Sequence, residues 1–155
     1  MAEKQPVHKS LRLKDFDYSS NYAYFVTICT KNRKSILGKV IVGDDAYIVP
    51  HVALTRYGRI VEKYIRSIAG IDKYVIMPNH LHMIIIKNGS MRASTPTTVS
   101  SDVRSMKVMV TKEIGFSIWQ RSFYDHIIRN EDDYREIWEY IDNNPAKWAE
   151  DRYFC

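Results

Sequence analysis

The chain has 155 residues, of which 45% are hydrophobic and 26% charged, with a formal net charge of +5. This length suits one domain with its own core, and the composition disfavours disorder, collagen and a coiled coil. No apolar run is long enough to cross a bilayer, and the charged start, MAEKQPVHKS, is not typical of a secretory signal. Only Cys29 and Cys155 are present, too few for a disulfide framework, so we expect a reduced, cytoplasmic protein.

The basic side chains are concentrated in the first part of the chain. Residues 1–120 carry 18 basic and 9 acidic side chains, whereas residues 121–155 carry 5 and 9. With eleven Tyr and three Trp, this balance favours a polyanionic partner, nucleic acid first. It also fits a soluble protein with a mildly basic surface.

The first elements in chain order are a strand, two weaker strands and a helix. Tyr22–Thr30 (YAYFVTICT) is dense in aromatic and β-branched residues, which is typical of a strand. Two weaker strand candidates follow, Ile36–Val42 and Tyr47–Val49, on either side of a Gly-Asp-Asp turn. Apolar side chains with a 3.6-residue period then predict a helix over 53–69, with Gly70 as its stop.

A tight hairpin is predicted next. Tyr74–Met77 and Leu81–Ile86 both resemble strands, and Pro78-Asn79 lies between them. Proline presets φ for the first central turn position, and asparagine tolerates a positive φ at the second.

The remaining elements are a loop, a helix, a strand and a last helix. Residues 88–101 are rich in Ser, Thr, Gly and Pro, which predicts a flexible loop. A helix over 102–114 and a strand over Phe123–Ile128 follow. Three consecutive carboxylates then open a helix over 131–144, where the helix dipole favours them.

The element order β–α–β–β–α–β, with one added helix, predicts an α+β fold. It matches the ferredoxin-like split βαβ plan, an antiparallel sheet with its two helices on one face. We expect a single domain over 1–155, with an N-terminal extension (1–20) and a C-terminal tail (145–155). The uncovered face of the sheet is then available for a site.

A His-x-His pair follows the hairpin turn. Side chains at i and i+2 of a strand share a face, so His80 and His82 both point away from the core while Leu81 packs inward. Two neutral imidazoles on one face can chelate a divalent metal. Two structural histidines at the edge of the sheet would give the same pattern.

Two polar residues of the last helix share a face that is not its core face. The apolar stripe is formed by Tyr134, Ile137, Trp138 and Ile141. Helical geometry puts Tyr140 and Asn144 close together and away from this stripe. Tyr140 could be catalytic or a half-buried packing residue. Asn144 could be functional or simply the helix end before a proline.

Three segments resemble one known family. YVIMPNHLHMIIIK (74–87) resembles the metal-binding segment of the HUH class of single-strand transposases. WQRSFYDHIIRNEDDY and EYIDNNPAKWAEDRYF resemble its C-terminal signature, and RLKDFDYSSNYAYFVTICTKNR its opening. The match is nearest to the REP-associated tyrosine transposases and covers nearly the whole chain.

The resemblance implies a metal-dependent enzyme that nicks single-stranded DNA and transfers the strand. It implies that His80, His82 and Asn144 bind Mg²⁺ or Mn²⁺, and that Tyr140 is the nucleophile forming a covalent 5′-phosphotyrosine. Mobile-element members of the family commonly have Gln where this chain has Asn144, and the Gln side chain is longer by one methylene. A phenol with an ordinary pKa near 10 is a weak nucleophile, and the metal would polarise the scissile phosphate.

The implied partner is single-stranded or hairpin DNA, which would make the protein nucleoid-associated. Either a monomer or a homodimer is compatible with the family, and so is either active transposition or a domesticated gene. Single strands are held by cationic grooves and stacking aromatics. The candidate cationic contacts are Arg12, Lys14, Lys31, Arg33, Lys34 and Arg121.

Two other functions compete with the transposase interpretation. The first is a non-catalytic protein on the same fold that binds DNA hairpins as a regulator. The second is a small metal-dependent phosphodiesterase, which would use the His pair but leave Tyr140 unexplained.

Overall fold

The computed structural model of the chain describes residues 21–43, 49–88, 98–151 and 153. It has a four-stranded antiparallel sheet, a separate two-stranded sheet and three α-helices within these residues. None of these helices is long and apolar enough to cross a membrane. The elements are β1 (Asn21–Cys29), β2 (Gly38–Ile41), β3 (His51–Leu54), α1 (Arg56–Arg66), β4 (Ile71–Ile76), β5 (His80–Asn88), α2 (Val99–Ile114), β6 (Tyr124–Ile128) and α3 (Glu131–Asn143).

The main sheet has the strand order β4-β5-β1-β6, and every neighbouring pair is antiparallel. The predicted ferredoxin-like split βαβ fold is therefore confirmed. β5 and β1 are the two central strands. Their register sets Cys29 opposite His80 and Thr27 opposite His82.

The first face of the sheet is covered by α1 and α2. The side chains that meet there are almost entirely aliphatic and withdrawn from solvent, so burial of apolar area stabilises this layer. The sheet contributes Val26, Ile28, Leu81, Met83 and Ile85, and the helices contribute Val61, Ile65, Val103, Met106 and Val110.

α3 packs on the opposite face. Tyr134 and Ile141 are each 1% exposed and contact Ala23, Ile84 and Ile128 of the sheet. These two residues belong to the apolar stripe predicted from the sequence. The added helix thus covers the face that carries the histidines.

Helix starts differ from the predictions because capping residues set them. The Thr55 side chain accepts a hydrogen bond from Gly58 N, so α1 begins at Arg56 and Leu54 belongs to β3 instead. The Thr98 side chain accepts from Ser101 N, so residues 99–101 are helical and not part of the predicted loop.

Other loop predictions were partly wrong. The predicted 88–101 loop is also too long at its start, because Asn88 belongs to β5. Residues 89–97 and the extension 1–20 lie outside the described residues. The predicted strand at 47–49 lies partly outside them too, and β2 pairs with β3.

The Pro78-Asn79 turn forms as predicted but in a different conformation. Met77 N donates to His80 O at 2.8 Å, which closes a two-residue turn. The described non-glycine residues with positive φ are Asn32 and Arg33, so Asn79 does not use the positive φ that asparagine tolerates. The Asn79 side chain is instead buried, where it makes hydrogen bonds.

Gly70 connects α1 to the strand pair that carries the histidines. Its φ is +88°, and a Cβ at this position would lie 2.1 Å from Ile86 O of β5. Gly115 has a similar φ of +99°, but a Cβ there would have no described atom within 4 Å. Both positions need the left-handed conformation, whereas only Gly70 also has no room for a side chain.

We expect Gly70→Ala to destabilise the fold more than Gly115→Ala. Each substitution costs about 1–2 kcal/mol for an alanine in the left-handed region. Gly70→Ala adds about 1–3 kcal/mol of overpacking against β5. Urea unfolding of both variants measures the difference, and equal midpoints would contradict the close approach.

Candidate functional site

His80 and His82 lie on the same face of β5, as their spacing predicts. Their ring centroids are 4.6 Å apart, and the residues are 0% and 1% exposed. The expectation that both rings point outward was wrong, because α3 and the segment after it cover this face. Trp148 stacks on His80 at 5.9 Å, and the Tyr153 ring lies 4.5 Å from it.

The Asn79 side chain fixes the tautomer of His80. Asn79 Nδ2 donates to Tyr153 O at 2.6 Å, so the amide oxygen faces His80 Nδ1, 2.8 Å away. His80 must therefore carry its proton on Nδ1 and donate it to Asn79 Oδ1. His80 Nε2 then faces Asp151 and is the ring nitrogen with which this imidazole can bind a metal.

His82 is held between a sheet residue and the last helix. Its Nδ1 lies 2.7 Å from Thr27 Oγ1, and its Nε2 lies 3.4 Å from the Tyr140 hydroxyl. With the proton on Nδ1, Thr27 accepts and Tyr140 donates to Nε2. Phe25 stacks on His82 at 5.2 Å and meets Tyr140 edge-on at 6.1 Å, which fixes both rings.

α3 brings Tyr140 to His82 and ends at Asn144. Tyr140 is 44% exposed, so its ring is open to solvent while its hydroxyl faces His82. Asn144 caps the C-terminus of the helix and is 3% exposed. Its Oδ1 is buried and accepts no hydrogen bond from the described residues. The structure thus gathers Tyr140 and the His pair, with Asn144 one turn further along the same helix.

Asp151 is a neighbour of His80 that the sequence analysis missed. Its Oδ2 lies 3.7 Å from His80 Nε2, and its side chain is 2% exposed. One ligand atom each from His80, His82 and Asp151 lie within 4.8 Å of one another. The sequence has no periodic signal for this contact, since it depends on the path of the chain after α3.

The pocket beside Tyr140 is acidic. It has a volume of about 570 Å³, and its walls include Tyr140, Asn144 and Asp151. Among the described residues, four carboxylates and one cation line it. The full set of these lining residues is Glu136, Glu139, Tyr140, Asn143, Asn144, Lys147, Glu150 and Asp151. Such a pocket repels a phosphate unless a cation offsets its charge.

These residues fit a divalent metal. Two imidazoles and a buried carboxylate oxygen form one group, and the buried amide oxygen of Asn144 belongs to a residue that lines the same pocket as Asp151. Neither oxygen has a hydrogen-bond donor among the described residues. Buried oxygens of this kind are costly without a proton donor or a cation. Oxygen ligands suit Mg²⁺ and Mn²⁺, and imidazole is a common partner for transition metals.

A second, basic cleft of about 770 Å³ lies at the end of β1. Its cations are Lys31, Arg33 and Arg121, and no carboxylate from the described part of the chain lines it. The remaining lining residues are Asn32, Ser117, Trp119 and Gln120. Three of the cations proposed from sequence as DNA contacts therefore share one cleft. Lys34 is exposed but does not line it, and Arg12 and Lys14 lie outside the described residues.

Backbone pairing holds the two walls of the cleft together. Lys31 N donates to Ile118 O at 2.7 Å, and Gln120 N donates to Cys29 O at 3.0 Å. The Lys107 ammonium donates to Gln120 O at 2.9 Å, and its partial burial lowers the pKa of Lys107. The cleft is thus a fixed feature of the fold.

The cleft adjoins the histidine site through two side chains. The Arg33 guanidinium lies 5.5 Å from the centre of the Tyr153 ring, and that ring contacts His80. His126 is not part of this arrangement, because its Nε2 pairs with Asp133 at 2.9 Å.

Comparisons with known proteins identify relatives along most of the chain. The chain is 37% identical to an uncharacterized protein of Haemophilus influenzae, over 94% of this chain and 92% of the relative. It is 30% identical to the REP-associated tyrosine transposase of Escherichia coli K12, over 84% and 70% of the two chains. No family model matches the sequence.

One solved structure has the same fold. It is described as a REP-associated tyrosine transposase bound to a REP hairpin, and it matches with a TM-score of 0.58 and 28% identity. The match covers 82% of this chain and 68% of the other. Together with the sequence relatives, this likeness shows that the chain belongs to the family of REP-associated tyrosine transposases.

We expect Thr27→Val to weaken Mn²⁺ binding about tenfold. This is the lower end of the loss in affinity when a hydrogen-bond partner of a metal-binding histidine is removed. Valine keeps the shape of threonine but removes the oxygen that orients His82 Nδ1. Thr27→Ser restores that oxygen and should bind Mn²⁺ nearly as the wild type does. Calorimetric titration of the two variants measures this, and equal weakening in both would exclude the orienting role of the hydroxyl.

Proposed function

We propose that this protein nicks single-stranded DNA beside a hairpin and transfers the strand through a covalent 5′-phosphotyrosine. Tyr140 is the nucleophile, and His80, His82 and Asn144 hold Mg²⁺ or Mn²⁺. The observation that carries the proposal is the 3.4 Å contact between the Tyr140 hydroxyl and His82 Nε2. It sets the nucleophilic oxygen beside a nitrogen that can bind the metal.

The reaction exchanges one phosphodiester for another. The Tyr140 oxygen attacks the scissile phosphorus and loses its proton, while the bond from phosphorus to O3′ breaks and the leaving O3′ takes up a proton. Attack by a second 3′-hydroxyl on the phosphotyrosine reverses these steps and rejoins DNA. Because the bond energy is conserved, no nucleotide cofactor is needed.

The side chains around Tyr140 orient the nucleophile. Phe25 and His82 hold the ring on two sides, and the rest of the ring is open to solvent, where a flexible strand can approach. When bound, the metal supplies Lewis-acid polarisation of the phosphate and offsets the carboxylates of the pocket. The acidic lining explains why a phosphate would enter only with a cation present.

The basic cleft supports DNA as the substrate. Lys31, Arg33 and Arg121 can neutralise phosphates, and the contact from Arg33 through Tyr153 to His80 joins the cleft to the reacting centre. Hairpin DNA is favoured because the related solved structure holds a REP hairpin. Lys34, Arg12 and Lys14 remain candidate contacts outside this cleft.

The burial of His80 favours a second candidate function. Trp148 and Tyr153 cover a ring that is fully withdrawn from solvent. A hairpin-binding protein that does not cut would have the same basic cleft and need no open metal site. Cleavage and binding must therefore be measured separately.

Tyr140→Phe should abolish both strand cleavage and the covalent adduct while leaving hairpin binding unchanged. The ring still packs against Phe25 and His82, and only the nucleophilic oxygen is removed. A labelled hairpin with a single-stranded flank is incubated with Mn²⁺ and run on a denaturing gel, and the linked peptide is mapped by mass spectrometry.

Tyr124→Phe is the control, because Tyr124 carries another exposed hydroxyl at 54% exposure. It should form the adduct as the wild type does. Binding without an adduct in the wild type would support the regulator instead. Cleavage without an adduct would support the phosphodiesterase, and DNA linked to a tyrosine other than Tyr140 would refute the assigned nucleophile.

The double variant Lys31→Gln/Arg121→Gln should bind a single-stranded flank more weakly and with a shallower salt dependence. Each phosphate that is no longer neutralised reduces the slope of log affinity against log salt by about 0.7 for single strands. Arg59→Gln, an exposed cation of α1, is the control and should leave the slope unchanged. All variants are made in the Tyr140→Phe protein, so that fluorescence anisotropy measures binding without cleavage. Identical salt slopes in all proteins would exclude the cleft as a DNA-binding site.

A further inference from the structure

We infer that the Asp151 carboxylate is a further ligand of the metal held by His80 and His82, supplied by the segment after α3. The inference rests on the proposed function, because it adds a ligand to the same metal. The family resemblance implies His80, His82 and Asn144 as ligands and gives Asp151 no role. The assignment comes from geometry, burial and charge.

The separation of Asp151 and His80 fits a shared ion. Two atoms that each lie about 2.1 Å from one ion are at most about 4.2 Å apart. Asp151 Oδ2 and His80 Nε2 are 3.7 Å apart, which is within this limit and too long for a hydrogen bond. His82 supplies the third atom, and the three ligand atoms lie within 4.8 Å of one another, so the group contracts slightly when all three share one ion.

The carboxylate is oriented toward the site. Asp151 Oδ1 accepts a hydrogen bond from Tyr153 N at 2.8 Å, which leaves Oδ2 to face His80. Oδ2 is buried and accepts no hydrogen bond from the described residues. Asn144 Oδ1 is likewise buried and accepts none from them. Two buried oxygens that accept no hydrogen bond from the described residues favour a cation nearby.

The segment that carries Asp151 is attached to the sheet. A short 3-10 helix over Pro145–Glu150 leads from Asn144 to Asp151, so both oxygens come from one stretch of chain. Asn79 Nδ2 holds Tyr153 O at 2.6 Å, two residues further on. Asp151 is therefore placed by protein contacts and needs little rearrangement to bind the metal.

The test is Mn²⁺ binding by the full chain without DNA. Free Mn²⁺ is followed by electron paramagnetic resonance in wild type, Asp151→Asn and Glu150→Gln. Glu150 lines the same pocket but is exposed, so its variant removes the same charge without removing the proposed ligand. We expect Asp151→Asn to bind at least tenfold more weakly than wild type and Glu150→Gln to bind nearly as the wild type does.

Equally weakened Mn²⁺ binding in Asp151→Asn and Glu150→Gln would overturn the inference, because the Asp151 carboxylate would then act only through its negative charge. Asp151→Ala is measured beside these variants, because it removes the side-chain oxygens that an asparagine at this position would partly keep. An unchanged affinity in both Asp151→Asn and Asp151→Ala would also overturn it and would leave the proposed function standing. Failure of the wild type to bind Mn²⁺ would refute the metal site on which both proposals depend.

Discussion

The pairing of β1 with β5 is the constraint on which the rest of the site depends. It sets Thr27 opposite His82 and Cys29 opposite His80, so one register fixes both imidazoles and the hydroxyl that orients one of them. A shift of one residue would turn the histidines into the aliphatic layer beneath α1 and α2. The burial of Leu81 and Met83 in that layer therefore holds the polar face in place.

Charge is divided between two neighbouring cavities. The pocket at Tyr140 is lined by an excess of carboxylates, whereas the charged residues described in the cleft at Lys31 and Arg121 are all cations. A nucleic acid strand is attracted to the second and repelled by the first. A bound cation would remove this repulsion, so in the proposed function one cavity holds DNA and the other admits the reacting phosphate.

The sequence was sufficient to predict the sheet because its strands and helices have clear periods and turn signals. Helix boundaries were less accurate, since they depend on single capping contacts such as those of Thr55 and Thr98. The face shared by His80 and His82 followed from strand geometry. Their burial and the approach of Asp151 could not be predicted, because the chain after Pro145 has no period and is positioned by tertiary contacts such as Asn79 with Tyr153.

The histidine pair and the proposed oxygen ligands belong to parts of the fold with different local stability. β5 is hydrogen-bonded on both sides, so its amides exchange with solvent only when the sheet opens. Asn144 and Asp151 lie at the two ends of a short 3-10 segment outside the sheet, which can open locally without breaking the sheet. The lifetime of an ion in this site would then follow the opening rate of that segment, while the imidazoles stay in position through many such openings.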